Sequence, residues 1–113
     1  MKTLAQIRAQ NALRCYGQHF GGAADGDVIK KMPMRIQTDG ILATLAFCHA
    51  KNEDHRRAAQ IIVDHLCYEG IEVTESDTLL ALIAELALKD AQTLRRATAE
   101  ALALLNYMKR FAD

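Results

Sequence analysis

The chain has 113 residues, half of them apolar, with 14 basic and 14 acidic side chains and a formal net charge of zero. That is one domain's length with enough apolar material for a single modest core, and nothing global draws it to nucleic acid or an anionic membrane. Three widely spaced cysteines with no C-x-x-C pair exclude a disulfide framework or zinc ribbon, and no run approaches the length of a membrane span.

Thr3-Leu-Ala-Gln6 has the form of a capping box and opens helix 1, expected from about Leu4 to His19. Leu4, Ile7, Leu13, Tyr16 and Phe20 form its loose apolar stripe, and the glycines of "FGGAADGD" end it. Asp25 or Asp27 is placed to cap helix 2, with Val28, Ile29, Met32 and Ile36 inward. Pro33 interrupts this segment. Either the helix begins near Lys31 with Pro33 in its first turn, or it begins near Asp27 and kinks at Pro33. The apolar spacing on both sides of the proline favours the kinked form.

"TDG" ends helix 2, and Asp39 is a candidate cap for helix 3, "ILATLAFCHA", closed by Lys51-Asn52. Being apolar nearly all round, helix 3 is expected to be the most buried. "NEDHRRAAQIIVDHLCYEG" reads as helix 4, with acids in its first turn, a stripe of Ala58, Ile61, Ile62, His65 and Leu66, and Gly70 as its stop. "IEVTES" is a connector, and Thr74 or Ser76 is expected to cap helix 5, "DTLLALIAELAL". Asp90 opens helix 6, whose Leu94, Thr98, Ala101, Leu105, Met108 and Ala112 fall on a heptad seam, with Arg95, Arg96, Lys109 and Arg110 off it. The expected fold is all-α: one domain over residues 1–113, a bundle of five or six helices.

Motifs for chemistry fail on inspection. Gly21-x4-Gly26 lacks the Lys-Ser/Thr of a phosphate loop and is flanked by acids. No glutamate has a histidine three residues on, as helical di-metal sites require. His65 and Glu69 are spaced i,i+4, which reads as a partly buried histidine beside an acid. Cys48 and His49 are neighbours on a helix and point about 100° apart, so Cys48 reads as a small core residue rather than a nucleophile. No catalytic residue, metal or cofactor is expected.

The basic residues group more suggestively. Lys30, Lys31 and Arg35 surround Pro33, Arg8 and Arg14 lie on helix 1, and Arg56-Arg57 begin helix 4. No aromatic residues interleave with them, so phosphate contact rather than base stacking is the nucleic-acid mode open to them; a solvated face is the plain alternative. A helix-turn-helix DNA-binding regulator is the competing class, but helix 3 is too apolar to enter a groove.

"KKMPMRIQTDGILATLAFCHAK", Lys30 to Lys51, resembles the signature of the small helical subunit of the type III-B CRISPR RNA-silencing complex, the Cmr complex. "LRRATAEALALLNYMKRFA", Leu94 to Ala112, resembles that family's last helix; the two stretches cover about 41 residues. Thr38-Asp39-Gly40 departs from the more usual Asn before the glycine, as do Phe-Cys-His-Ala-Lys at the end of helix 3 and Asn106-Tyr107-Met108. The resemblance implies a non-enzymatic, cytoplasmic subunit in antiviral defence. Its copies stack head to tail along the complex interior, bridge the repeated backbone subunit to the large polymerase-like subunit, and help hold target RNA against the guide. Lys30, Lys31 and Arg35 are then the first candidates for contact with RNA or with other subunits, Arg8 and Arg14 the next, and Arg56 and Arg57 the last. Pro33, Gly40, Leu45 and Phe47 are structural, with Pro33 and the Asp39-Gly40 turn fixing the angle between the basic helix and helix 3.

Overall fold

The computed structural model describes residues 1–19 and 23–112, with side chains described for 1–15 and 27–111. Its elements are α1 Leu4–His19, α2 Ala23–Asp39, α3 Ile41–Lys51, α4 Glu53–Leu66, α5 Leu79–Leu88 and α6 Ala91–Ala112. The fold is all-α. Local capping sets most of the boundaries. Thr3 and Gln6 form the expected reciprocal box: Gln6 N–H donates to Thr3 Oγ1 at 3.2 Å, and Thr3 N–H to Gln6 Oε1 at 2.8 Å. Asn52 ends α3 and caps α4, accepting from His55 N–H at 3.0 Å. Asp90 caps α6 by accepting from Thr93 N–H at 2.9 Å.

Three caps differ from expectation. Asp39 is the last residue of α2, and Gly40, at φ 90°, is the N-cap of α3. Gly40 N–H closes α2 on Ile36 O at 2.9 Å, while Gly40 O receives Thr44 N–H and, at 2.8 Å, Thr44 Oγ1–H. One residue serves both helices, and its left-handed backbone suits glycine. Thr78, not Thr74 or Ser76, caps α5 through Ala81 N–H at 3.2 Å; Thr74 is buried and Ser76 donates to Glu85 Oε1 at 2.6 Å. Helix α2 starts at Ala23, so Asp25 and Asp27 lie inside it, and it runs through Pro33 to Asp39. Pro33 withholds one N–H, a cost of about 3 kcal/mol or more in a helix interior. Ile29, Met32 and Ile36 are all at least 98% buried and straddle the proline. Each contributes about 1.5–3 kcal/mol of burial, which offsets the missing bond and keeps the helix continuous.

The centre of the molecule is α4, not α3. Helix α4 packs against all five other helices, and Ala58, Ala59, Ile61, Ile62, Val63, His65 and Leu66 are buried along it. In α3 only Ile41, Thr44, Leu45 and Cys48 are buried; Ala43 and Ala46 face solvent. Alanine makes a helix look apolar all round without requiring depth. α4 ends at Leu66, earlier than expected, and Gly70 lies in the turn beyond it at φ 94°, where a Cβ would meet Ile7 Cδ1 at 2.9 Å.

The α1 stripe also differs. Leu4 and Leu13 are 48% and 60% exposed, while Asn11, Ala12 and Cys15 are buried. Tyr16 and Phe20 lie outside the described side chains. On α6 the seam holds at Ala101, Leu105 and Met108, but Ala97, Glu100 and Leu104 are buried while Leu94 and Thr98 are half-buried.

The buried polar residues explain both shifts. Arg8 donates to Glu100 through Nε at 3.0 Å and Nη2 at 2.6 Å, in bidentate geometry. Glu100 Oε1 also takes His65 Nε2–H at 3.1 Å, and His65 Nδ1 lies 3.0 Å from Asn11 Nδ2. With Asn11 donating to Nδ1, the fully buried His65 is the neutral Nε2–H tautomer. The chain joins α1, α4 and α6. The expected partner of His65, Glu69, is exposed instead.

This arrangement sets a pH dependence. Burial pushes the His65 pKa below its ordinary 6.5, and the Arg8 guanidinium leads in holding Glu100 below its ordinary 4.5. Both groups bind protons more readily unfolded than folded, so both destabilise the fold as pH falls, His65 from about pH 6.5 and Glu100 from about pH 4.5. The melting temperature is expected to drop between pH 7 and pH 5, and Glu100→Ala to cost about 3 kcal/mol at pH 7 by leaving Arg8 and His65 unpaired. Thermal melts across pH check both. Leu45→Ala is expected to cost about 2–5 kcal/mol in a chemical denaturation series, since Leu45 is wholly buried.

Candidate functional site

The basic residues of α2 stand at a junction of three helices. Lys31 is exposed, and Lys30 and Arg35 are half-buried. The Arg35 guanidinium lies 3.9 Å from the centroid of the Phe47 ring on α3 and 3.7 Å from the Asp39 carboxylate. His55, in the first turn of α4, meets the same Phe47 ring edge-on, with centroids 5.6 Å apart and planes at 82°. Phe47 is thus a shared platform for one cation from α2 and one imidazole from α4.

Asn52 fixes the imidazole further. Its Oδ1 accepts from His55 N–H and lies 2.7 Å from His55 Nδ1. Because that oxygen already accepts from the backbone, Nδ1 carries the proton and Nε2 is left for another partner. Burial lowers the His55 pKa, and positive Lys51, Arg35 and Lys31 lower it further, against an opposing contribution from Asp54. A pocket of about 100 Å3 lies here, lined by Asp27, Val28, Lys31, Met32, Arg35 and His55.

The other candidates are placed differently. Arg8 is committed to Glu100, and Arg14 lies 5.0 Å over the Tyr68 ring. Arg56 donates to His49 O at 3.2 Å, and Arg57 pairs with Asp54 at 3.5 Å. The structure therefore brings Lys31 and Arg35 together with Lys51 and His55, which sequence reasoning missed. The signal was there: Lys51 and His55 flank the Asn52 stop, and a one-residue connection between helices brings both sides close.

Two apolar surfaces complete the exterior. Helix α5 exposes Leu80, Ala81, Ala84, Ala87 and Leu88, a stripe without a charge, with Leu80 60% and Leu88 88% exposed. Between α3 and α6 lies a groove of about 620 Å3 whose walls include Ile41, Leu42, Leu94, Thr98 and Leu102.

The sequence model of the family described as CRISPR-associated protein (Cas_Cmr5) matches residues 4–113, nearly the whole chain. The chain belongs to the Cmr5 family. Family membership makes it a small subunit of the Cmr-type CRISPR complex. No curated relative matches the sequence. In fold it is similar to the crystal structure of a CRISPR-associated Cmr5 family protein from Thermus thermophilus. The TM-score is 0.82 at 24% identity, over 99% of this chain and 96% of that one. In this Cmr5-family fold Thr44, Leu45 and Cys48 of α3 are buried, so α3 does not present them to a DNA groove. Among the described residues no helix is long and apolar enough to cross a membrane.

Cys48 is a core residue, as its sequence context suggests. It is wholly buried with Sγ 3.5 Å from Met32 Sδ, and burial pushes its thiol up to about 11. A thiol-specific reagent at pH 8 is therefore expected to modify half-buried Cys67 in the native protein and to reach Cys48 only after denaturation, as peptide mass mapping would record.

Proposed function

We propose that the chain is a non-enzymatic structural subunit of a type III-B effector complex, stacked head to tail with copies of itself. In that position it bridges the repeated backbone subunit to the large polymerase-like subunit and helps hold the target RNA. The observation that carries this reading is the cluster of Lys31, Arg35, Lys51 and His55 on a rigid three-helix junction. Such a cluster contacts a phosphate backbone without reading bases.

Two further features support the assembly. The chain's net charge is zero, so adjacent copies do not repel one another as whole bodies. The α5 stripe and the α3–α6 groove belong to different helices. A contact between the stripe of one copy and the groove of the next would be heterologous, the kind that propagates a stack. The isolated protein is expected to bind RNA only weakly, near 10⁻⁴ M or above at physiological salt, since non-specific affinity comes from clustered charge.

Lys30→Ala, Lys31→Ala and Arg35→Ala together, in the reconstituted complex, test the reading over a salt series with two unrelated targets. Affinity should fall equally for both targets, and the salt slope should drop by about one unit for each phosphate that the variant no longer neutralises. Assembly that survives with affinity and slope unmoved would leave these residues a solvated face. Failure of assembly itself would make them a protein-binding strip.

A further inference from the structure

We propose that the pocket between α2 and the start of α4 seats one phosphodiester of single-stranded RNA, held by Lys31, Arg35 and His55, and that protonation of His55 tightens the hold as pH falls. This rests on the RNA-contact reading above and adds the seat and its regulation.

The pocket, about 100 Å3, is several times what one water needs, enough for one compact tetrahedral anion. Lys31 and Arg35 are one helical turn apart and share a face of α2. Arg35 lies over the Phe47 ring with Nη1 3.7 Å from exposed Asp39, and its guanidinium is a planar fork suited to phosphate oxygens. His55 is held from two sides, by Asn52 at Nδ1 and by the Phe47 edge, so Nε2 is its one remaining ring nitrogen. Neutral Nε2 presents a lone pair, which repels an anion. Protonated Nε2 donates a charge-assisted hydrogen bond to it.

The surrounding charges set the direction of the coupling. Lys31 and Arg35 of α2 and Lys51 of α3 disfavour a second positive charge on His55, and Asp54 on its own helix favours one. A bound phosphate cancels part of that repulsion, so ligand and proton bind with positive linkage. Asp27 also lines the pocket and opposes the anion; it is exposed, and water screens it.

The test follows the His55 ring protons by NMR in the full chain, from pH 5 to 8. The two probes are dimethyl phosphate, whose single charge is constant over this range, and an eight-nucleotide uridine RNA. Both are expected to raise the His55 midpoint by about one unit, linked to about tenfold tighter binding at low than at high pH. His55→Gln is expected to keep the fold and lose the pH dependence. His49→Gln is expected to keep it, and Asp27→Asn to tighten binding throughout.

A His55 midpoint that neither probe moves, with His55→Gln still folded, overturns the proposal. A shift with dimethyl phosphate but not with RNA overturns RNA as the source of the phosphate. Absence of the linkage in a chain that still assembles with the guide-RNA complex removes this inference alone. Its presence in a chain that does not assemble removes the complex reading and leaves the anion seat.

Discussion

One buried polar chain, Arg8–Glu100–His65–Asn11, fixes how the two ends of the sequence meet. Arg8 and Glu100 are 92 residues apart, His65 and Glu100 are 35 apart, and Asn11 and His65 are 54 apart. Each member meets the hydrogen-bonding needs of the next, which is the condition under which a buried network specifies a structure rather than weakening it. Sliding α1 along α6 would separate Arg8 from Glu100 and strand charge in a partly dry site. Apolar packing alone resists such a slide weakly, because alanines at 12, 97 and 101 offer little relief for side chains to catch on. With α1, α4 and α6 set in this way, α2 packs mainly on α6, α3 and α5 pack on α4, and the three supply exterior surfaces.

Much of the fold is local and legible in the sequence. The Thr3–Gln6 box, the Asn52 stop and the Asp90 cap act within four residues of themselves, and each stands where expected. The α4 stripe stands for the same reason: a regular period and a strong contrast between faces. The misreadings share a different physics. Asn11 and Glu100 are polar residues whose burial depends on partners far along the chain, and no local pattern announces it. Their burial turns α1 away from the face that Leu4 and Leu13 suggest. The favoured reading of helix 2, one helix with Pro33 inside it rather than a start near Lys31, stands, because the burial of Ile29, Met32 and Ile36 on both sides offsets the proline's local cost.

The candidate site is half legible. The grouping of basic residues on α2 is visible in the sequence, and the resemblance adds Gly40 and Phe47 as structural residues beside it. What the resemblance does not give is that Phe47 carries both Arg35 and His55, or that Asn52 caps α4 and orients an imidazole with the same oxygen. These are contacts across a junction that closes only when α2, α3 and α4 pack. Gly40 joins α2 to α3 and Asn52 joins α3 to α4, so two single-residue connections hold the cluster's three helices together.

Whether this small helical chain works inside a guide-RNA assembly is read by affinity isolation of the tagged protein from its own cells, followed by protein identification and RNA sequencing. Recovery of the backbone and large subunits of a Cmr-type complex together with short guide RNAs, at more than one copy of this chain per complex, is expected. Recovery of the chain alone, or with DNA and no guide RNA, would contradict the complex reading.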